Sequence, residues 1–338
     1  MRIKGILEVD LLSHYTLHPH GIYQIRLPMG SSFWMNSYLI PDGDGYTIID
    51  PGFNTEEIIN LWHKVSREIG FTFNQIRKII VTHHHPDHYG LSGWFQQHSN
   101  APVYVSSLAK QQIEGLWGEG RPLVSFFLET YRKNGIPERL YEQLEENLID
   151  NIQQVLPHAT TTILDKGQAI QIGDSTYEVL LIAGHAAGHL ALYSKELKII
   201  FVGDQVMPDS SPDTCYVADE YDVNPIQSYI QSLNSLKGYD VRMAFPGHHQ
   251  PFHHFIERLE QLKQLNEERQ QKVEKQFTVD EWKTAYEAYY GVFEPVPALI
   301  QKRFHFTETL SRVRYALLNG LIEQTEQAGV VKYKKTSL

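Results

Sequence analysis

Residues 78–90, KIIVTHHHPDHYG, constrain this chain more than any other stretch. An apolar run, Ile79-Ile80-Val81, has the character of a strand buried on both faces. It stops in four histidines and an aspartate packed into six residues. Alternation at a strand end places His83 and His85 on one side and His84 on the other. Two imidazoles on one side can reach one cation. Asp87 and His88, where the chain turns into a helix, can face a second cation beside it. Zinc takes three or four N or O ligands at about 2 Å, so the cluster alone closes neither site. The chain must therefore fold so that other strand ends meet this one.

Three later segments qualify: His185 in LLIAGHAAGH, Asp204 in KIIFVGD and His248 in MAFPGHH. Each follows an apolar run and sits beside a glycine, which permits a sharp turn at the ligand. The single cysteine, Cys215, rules out an internal disulfide and leaves histidine and carboxylate as the metal ligands. It also fits a reducing compartment, and a cytoplasmic location is expected.

The surrounding text alternates strands and helices. IYQIRLPM, SYLI and YTIID read as strands, then TEEIINLWHKVSREIG as a helix with Thr55 as N-cap and Gly70 as stop. LSGWFQQHS reads as a short helix and APVYVS as a strand, which is the rhythm of a layered α/β protein. Residues 107–156 interrupt it with amphipathic helical text. Strands resume from about residue 161, with turns at Gly173-Asp174 and Lys195-Glu196, and a helix opens at Asn224-Pro225. From Phe255 the chain becomes a long charged helix. TVDEWKTAYEAYYG follows, with Thr278 and Glu281 spaced as a capping box, and TETLSRVRYALLNGLIEQTEQAGVVKYKK reads as helix ending in Gly329 and a short strand. Two domains are expected, residues 1–254 and a helical residue range 255–338.

In 338 residues, 42% hydrophobic and 21% charged, there is ample apolar material for a core. No run approaches the roughly 18 uncharged apolar residues of a membrane helix. Glu8 and Asp10 interrupt any signal-peptide apolar region, so neither secretion nor membrane association is expected. The net charge of −10 weighs against a polyanionic partner.

In order, IIDPG, THHHPDH, GHAAGH, FVGD and PGHH resemble the metallo-β-lactamase fold hydrolase superfamily over roughly residues 20–253. The resemblance implies a four-layer αββα sandwich, here with a helical insertion at about 107–156. By position it implies that His83, His85, His185 and Asp204 hold one metal ion. Asp87, His88, Asp204 and His248 hold a second, with Asp204 shared. Asp50 supports the ligand histidines from behind. The implied cofactors are two divalent ions, zinc first, with iron or manganese as alternatives. His85 separates the chain from relatives that carry Glu there and run redox chemistry on iron. Two departures affect the surroundings of the ligands: Ala186-Ala187 replaces a common Thr-Pro, and His249 replaces a common glycine. The C-terminal part resembles the small winged-helix-like tail of members with a β-lactamase-like protein 2-type architecture, including β-lactamase-like endoribonucleases.

With two cations sharing Asp204, the implied nucleophile is a metal-bound hydroxide, oriented by Asp87 as the catalytic residue. The leading expectation is metal-dependent hydrolysis of an ester, thioester or lactone of a small acyl substrate. The alternatives are a metal-dependent endoribonuclease and a non-catalytic nucleic-acid-binding regulator with structural metals. A homodimer is the remaining partnership considered. His84 is read as structural, His189, His249, His253 and His254 as hydrogen-bonded or exposed residues, and His14, His18 and His20 as surface. Trp117, Phe126, Phe127 and Tyr131 are open between core packing and a lid over the site. Tyr216 and Tyr221, in the loop after Asp204, are candidate pocket walls.

Overall fold

The protein is described by a computed structural model covering residues 14–30, 33–294, 296 and 298–337. Glu8 and Asp10 lie outside the described residues. Two sheets stack face to face. The first holds β1 (Tyr15–Leu17), β2 (Tyr23–Pro28), β3 (Trp34–Asp42), β4 (Gly45–Ile49), β5 (Ile76–Ile80), β6 (Val103–Val105) and β7 (Thr161–Ile163), side by side in chain order. It is antiparallel from β1 to β4 and parallel from β4 to β7. The second runs β12-β11-β10-β9-β8, with β8 (Ala169–Ile172), β9 (Ser175–Ile182), β10 (His189–Ser194), β11 (Ile199–Gly203) and β12 (Met243–Pro246).

Period-two alternation sorts the apolar residues into three layers of core. Ile40, Ile49 and Ile80 face the second sheet, where Leu190, Leu192, Ile199 and Phe201 meet them. Their neighbours Leu39, Ile48 and Ile79 face outward onto α1 (Glu56–Ile69), through Ile58, Trp62 and Val65. On the far side, Ala191, Tyr193, Ile200 and Val202 face outward onto helices described below. Both faces of these strands are covered, which is why their sequences read as unbroken apolar runs. Thr55 caps α1, its hydroxyl accepting from Ile58 N, and Gly70 closes it at φ 86°. The short α2 (Pro86–Tyr89) and α3 (Ser92–Ser99) follow β5.

The inserted segment is α4 (Ser107–Trp117), α5 (Pro122–Lys133) and α6 (Glu138–Gln153). Ile113, Leu116 and Trp117 of α4 pack into the outer layer of the first sheet. In contrast, Val124, Leu128 and Tyr131 of α5 and Leu144 and Leu148 of α6 share a separate core with the C-terminal residues Val273, Phe277, Phe306 and Leu310. On the second sheet lie α7 (Pro225–Leu236), capped by the Asn224 side chain, and the first half of α8 (Phe255–Glu274). Phe255, Leu259, Leu262, Asn266, Gln270 and Val273 form the buried stripe of α8 at helical spacing. With these two outer layers the arrangement is the expected αββα sandwich.

Beyond α8 come α9 (Ala285–Tyr289), α10 (Leu299–Leu318) and a hairpin of β13 (Ile322–Gln327) and β14 (Val330–Lys335). Two sequence expectations fail here. The capping box is Thr284 with Glu287, whereas Thr278 and Glu281 are not helical. The stretch before Thr284 is drawn into extended pairing with β14: Lys335 N donates to Thr278 O and Lys283 bridges to Tyr333. IEQTEQ is a strand and not the end of a helix. Gly320, at φ 70°, ends α10 two residues earlier, and the Ala328-Gly329 turn pairs the segment with VVKYKK.

Candidate metal centre

All seven predicted ligand side chains gather where β5, β9, β11 and β12 end. Their ligand atoms form two adjoining groups, each within 4.8 Å: His83, His85, His185 and Asp204, and Asp87, His88, Asp204 and His248. Asp204 belongs to both. In the first group His83 Nε2 lies 3.0 Å from His85 Nδ1 and 3.3 Å from His185 Nε2, and His185 Nε2 is 3.1 Å from His85 Nδ1. Asp204 Oδ2 is 3.6 Å from His185 Nε2 and 4.0 Å from His83 Nε2. In the second group, Asp87 Oδ2 stands 3.4 Å from Nε2 of both His88 and His248. Asp204 reaches the same two nitrogens at 3.3 Å, through Oδ1 and Oδ2 respectively.

Hydrogen bonds behind the rings decide where their lone pairs point. His185 Nδ1–H donates to Asp213 O at 2.9 Å and His248 Nδ1–H to Trp34 O at 2.8 Å. Asp50 Oδ2 accepts from His88 Nδ1 at 2.8 Å and from the Thr82 hydroxyl at 2.7 Å. That hydroxyl in turn accepts from His83 Nδ1 at 3.0 Å. The Nε2 lone pairs of all four rings therefore face inward. The acceptor nitrogens His83 Nε2 and His185 Nε2, 3.3 Å apart, have no proton to share, and they repel unless a cation stands between them. Four ligands at about 2 Å in a tetrahedron lie about 3.3 Å apart, so the spacing suits zinc-sized ions. Buried His88 Nε2 and Asp204 Oδ1 also lack a hydrogen-bond partner among the described residues. The donor set fits metal ions on both counts.

The charges agree. Burial holds His83, His85 and His185 below the ordinary imidazole pKa, so they are neutral acceptors. Burial pulls the same way on His88 and His248, but Asp204 and Asp87 outweigh it, raising His88 well above its usual value and His248 to about 10. Burial pushes Asp87 and Asp204 up, yet the same histidines hold both carboxyls low. Protons on His88 and His248 neutralise the carboxylates, and a divalent cation supplies equivalent charge at the same place.

Packing explains the glycines. A Cβ on Gly247 would fall 2.0 Å from Asp204 Oδ1, and one on Gly203 would fall 2.6 Å from the His189 ring. His249 occupies φ 65°, the conformation that a glycine adopts without strain. Its carbonyl accepts from Asn36 Nδ2 at 2.7 Å. Asp50, also at positive φ (56°), accepts from Thr82 N at 2.7 Å and so ties β4 to the histidine loop.

The remaining predicted residues divide clearly. His84 is buried outside both groups, and its carbonyl accepts from Trp117 Nε1 at 2.9 Å. His189 is buried under the centre: its ring stacks on His83 at 4.8 Å, and its Nε2 accepts from Asp204 N at 3.2 Å. Trp117, Phe127 and Tyr131 line a cavity of about 900 Å³ above the two groups. Phe126 does not. It is 40% exposed and borders a separate recess with Tyr216 and Tyr221. Those two tyrosines are thus not walls of the main cavity, because the loop after Asp204 turns them away toward α5 and α10. Tyr216 N donates to Ser311 Oγ, and its ring carries the Arg314 guanidinium at 4.7 Å.

Sequence reasoning missed the contribution of α10. Ile300, Arg303, Phe304 and Thr307 line the cavity, and the Phe304 ring lies 6.2 Å from that of His85. Deeper, Glu308 pairs with Arg312 at 2.7 Å and Arg269 at 3.1 Å, and shares a hydrogen bond with Asp213. Burial and the Glu308 carboxylate push Asp213 well above the usual carboxylate pKa, so Asp213 carries the shared proton. Ser311 Oγ donates to Thr214 O at 2.8 Å. α10 therefore clamps the loop whose Asp213 carbonyl orients His185. In sequence these residues look like polar punctuation in a helix, with no local signal of what they face.

Residues 35–248 match the model of the Metallo-beta-lactamase superfamily. The Probable metallo-hydrolase YqjP of Bacillus subtilis (strain 168) is 28% identical over 224 residues, 63% of this chain and 66% of that protein, just under two thirds of its length. Hydroxyacylglutathione hydrolase GloC of Haemophilus influenzae is 23% identical over 207 residues, 60% of this chain and 82% of that one. A crystal structure of a metallo-beta-lactamase family protein from Thermus thermophilus superposes with a TM-score of 0.82 at 26% identity, covering 95% of this chain and all of that one. The chain belongs to the metallo-beta-lactamase superfamily and has its fold, with two groups of inward-facing His and Asp side chains able to hold metal ions.

Proposed function

We propose that the protein hydrolyses an ester, thioester or lactone of a small acyl compound, using two divalent cations, with zinc the best fit. One observation carries this reading: two donor groups sharing Asp204 form the floor of a cavity of about 900 Å³ whose walls are mostly apolar. His83, His85 and His185 with Asp204 would hold one cation, and Asp87, His88 and His248 with Asp204 would hold the other. Bound there, the cations supply Lewis-acid polarisation of the acyl oxygen and a water that ionises near neutral pH. Asp87, whose carboxyl is held low by His88 and His248, would stay ionised and orient that water. Asp50 and Thr82 keep the rings of His88 and His83 aimed, and Trp34 and Asp213 do so for His248 and His185. Leu116, Trp117, Phe127 and Phe304 receive the apolar part of the substrate and exclude bulk water.

GloC is a hydroxyacylglutathione hydrolase by name, a thioester chemistry that suits such a floor. The RNA reading is weaker on this geometry. A polynucleotide needs several Lys or Arg along its track, and Arg303 is the one Lys or Arg lining the cavity among the described residues. Within the C-terminal part, α10 acts here as a roof. The test is a screen of the metal-loaded protein against thioesters, lactones and single-stranded RNA, with elemental analysis of the same sample. Turnover of an acyl substrate with about two metal equivalents per chain is expected. Salt-sensitive RNA cleavage with no acyl turnover would overturn the proposal.

A further inference from the structure

Arg303 stands in the cavity wall without an acidic partner. Among the described residues it takes part in no ion pair, and its charge rests only on the face of Phe304, 5.1 Å from the ring centre. The ionisable side chains that act on it most are Tyr131 and Cys215. Both are neutral at pH 7, because burial pushes the tyrosine up to about 12 and the thiol higher still. The other acids at the cavity are already committed or remote from it. Asp87 and Asp204 belong to the metal centre, Asp213 is bonded to Glu308, and Glu57 is exposed at the rim. A guanidinium next to apolar walls keeps its five donors but has little water to satisfy them, so an unpaired one is costly unless an anion arrives.

Its position gives that anion a place in the substrate. The Phe304 ring centre lies 5.1 Å from the guanidinium carbon and 6.2 Å from the His85 ring centre, and Arg303 and His85 line the same cavity. One small molecule can therefore touch the metal centre and Arg303 at once. We propose that Arg303 is a specificity-determining residue that binds a carboxylate or phosphate carried by the acyl substrate, set apart from the scissile bond by a spacer passing over Phe304. This rests on the acyl-hydrolase reading above and narrows it: the substrate is an anionic acyl compound. The planar fork takes either oxyanion in a bidentate grip, so the carboxylate of a dicarboxylic monoacyl group and the phosphate of a phosphorylated thiol are the two sources to separate.

Non-hydrolysable thioethers make that separation. The metal-loaded full-length protein is titrated by calorimetry with S-butyl-N-acetylcysteamine (neutral), S-(4-carboxybutyl)-N-acetylcysteamine (carboxylate on the acyl side) and S-butyl-4′-phosphopantetheine (phosphate on the thiol side). One of the two anionic compounds is expected to bind about tenfold or more tightly than the neutral one, the worth of a charge-assisted bond pair. Which one does so identifies the source. Arg303→Gln should abolish the difference, and Arg303→Lys should restore part of it. Equal or absent binding of all three to the wild type, or an unchanged preference in Arg303→Gln, overturns the inference. The matching thioesters are then assayed for hydrolysis. Charge-dependent binding without hydrolysis would remove the acyl-hydrolase reading and leave the anion site standing.

Discussion

The floor and the roof of the cavity are built by different rules. The floor is the strand-end set: the turn and short helix from His83 to His88 with His185, Asp204 and His248, where bonds from behind aim His83, His88, His185 and His248. The roof comes from two segments far apart in sequence, α5–α6 and α9–α10, which share one apolar core. Displacing one floor ligand disturbs a centre already at ligand-to-ligand contact distance. A roof side chain can shrink and leave the centre intact. Chemistry thus belongs to the floor and substrate fit to the roof.

The largest effect expected follows from Asp204, the one side chain in both groups. Asp204→Ala should lose both metal equivalents and all metal-dependent turnover, whereas His185→Ala should retain a measurable share of one. Elemental analysis of the two variants side by side checks this, and equal metal content in both would break the shared-ligand geometry. Next comes Asp50→Asn, which keeps shape but weakens the support of His88 and Thr82. Loss of such a supporting partner costs about 10–100-fold in metal affinity or activity. Competition with a chromophoric chelator reads it.

Two substitutions sharpen the line between floor and roof. Trp117 belongs to both, since its ring is buried with α4 and its N–H holds the His84 carbonyl. Trp117→Ala should destabilise the fold by about 3–5 kcal/mol, as large-to-small core changes do. Phe127→Ala, partly buried at the cavity wall, should instead raise KM several-fold with kcat nearly kept, the signature of lost uniform binding. Denaturant melts and steady-state kinetics on both variants would refute the division if the two behaved alike.

The smallest effect concerns Asp213. Its carboxyl pKa is raised in the folded protein, so the folded state keeps a proton that the unfolded chain releases above the ordinary carboxylate range. With more protons bound in the native state, stability falls as pH rises from about 4 through the raised pKa. Asp213→Asn keeps a hydrogen-bond donor toward Glu308 without that proton. Relative to this variant, the wild type should therefore lose Tm between about pH 5 and pH 8. A difference independent of pH would mean that Asp213 is ionised.

What could be seen in the sequence differs between these regions for the same physical reason. Strand-end motifs are local: an apolar run ending in His, Asp and Gly specifies both the element and the direction of its polar residue. All seven predicted ligand residues accordingly meet in two adjoining groups. Thr55, Gly70 and Pro225 mark helix ends as their chemistry requires. The sequence also contains two Thr-x-x-Glu spacings, at 278–281 and 284–287, and cannot choose between them. Pairing with β14 extends the first and leaves the second as the cap. IEQTEQ has mixed periodicity, and only its partner VVKYKK makes it a strand.

The sandwich and the inventory of the metal centre were thus written in local residue patterns, because burial periodicity and ligand spacing are properties of a few consecutive residues. It took the packed fold to bring α10 into the cavity, to fasten the loop behind His185 with Glu308 and Ser311, and to leave Arg303 without an acidic partner among the described residues. Those facts depend on which distant surfaces share a core. A buried Arg–Glu pair or an unpaired guanidinium looks, along the chain, like any other charge on a helix, and only the packed neighbours determine whether water, a carboxylate or a substrate satisfies it.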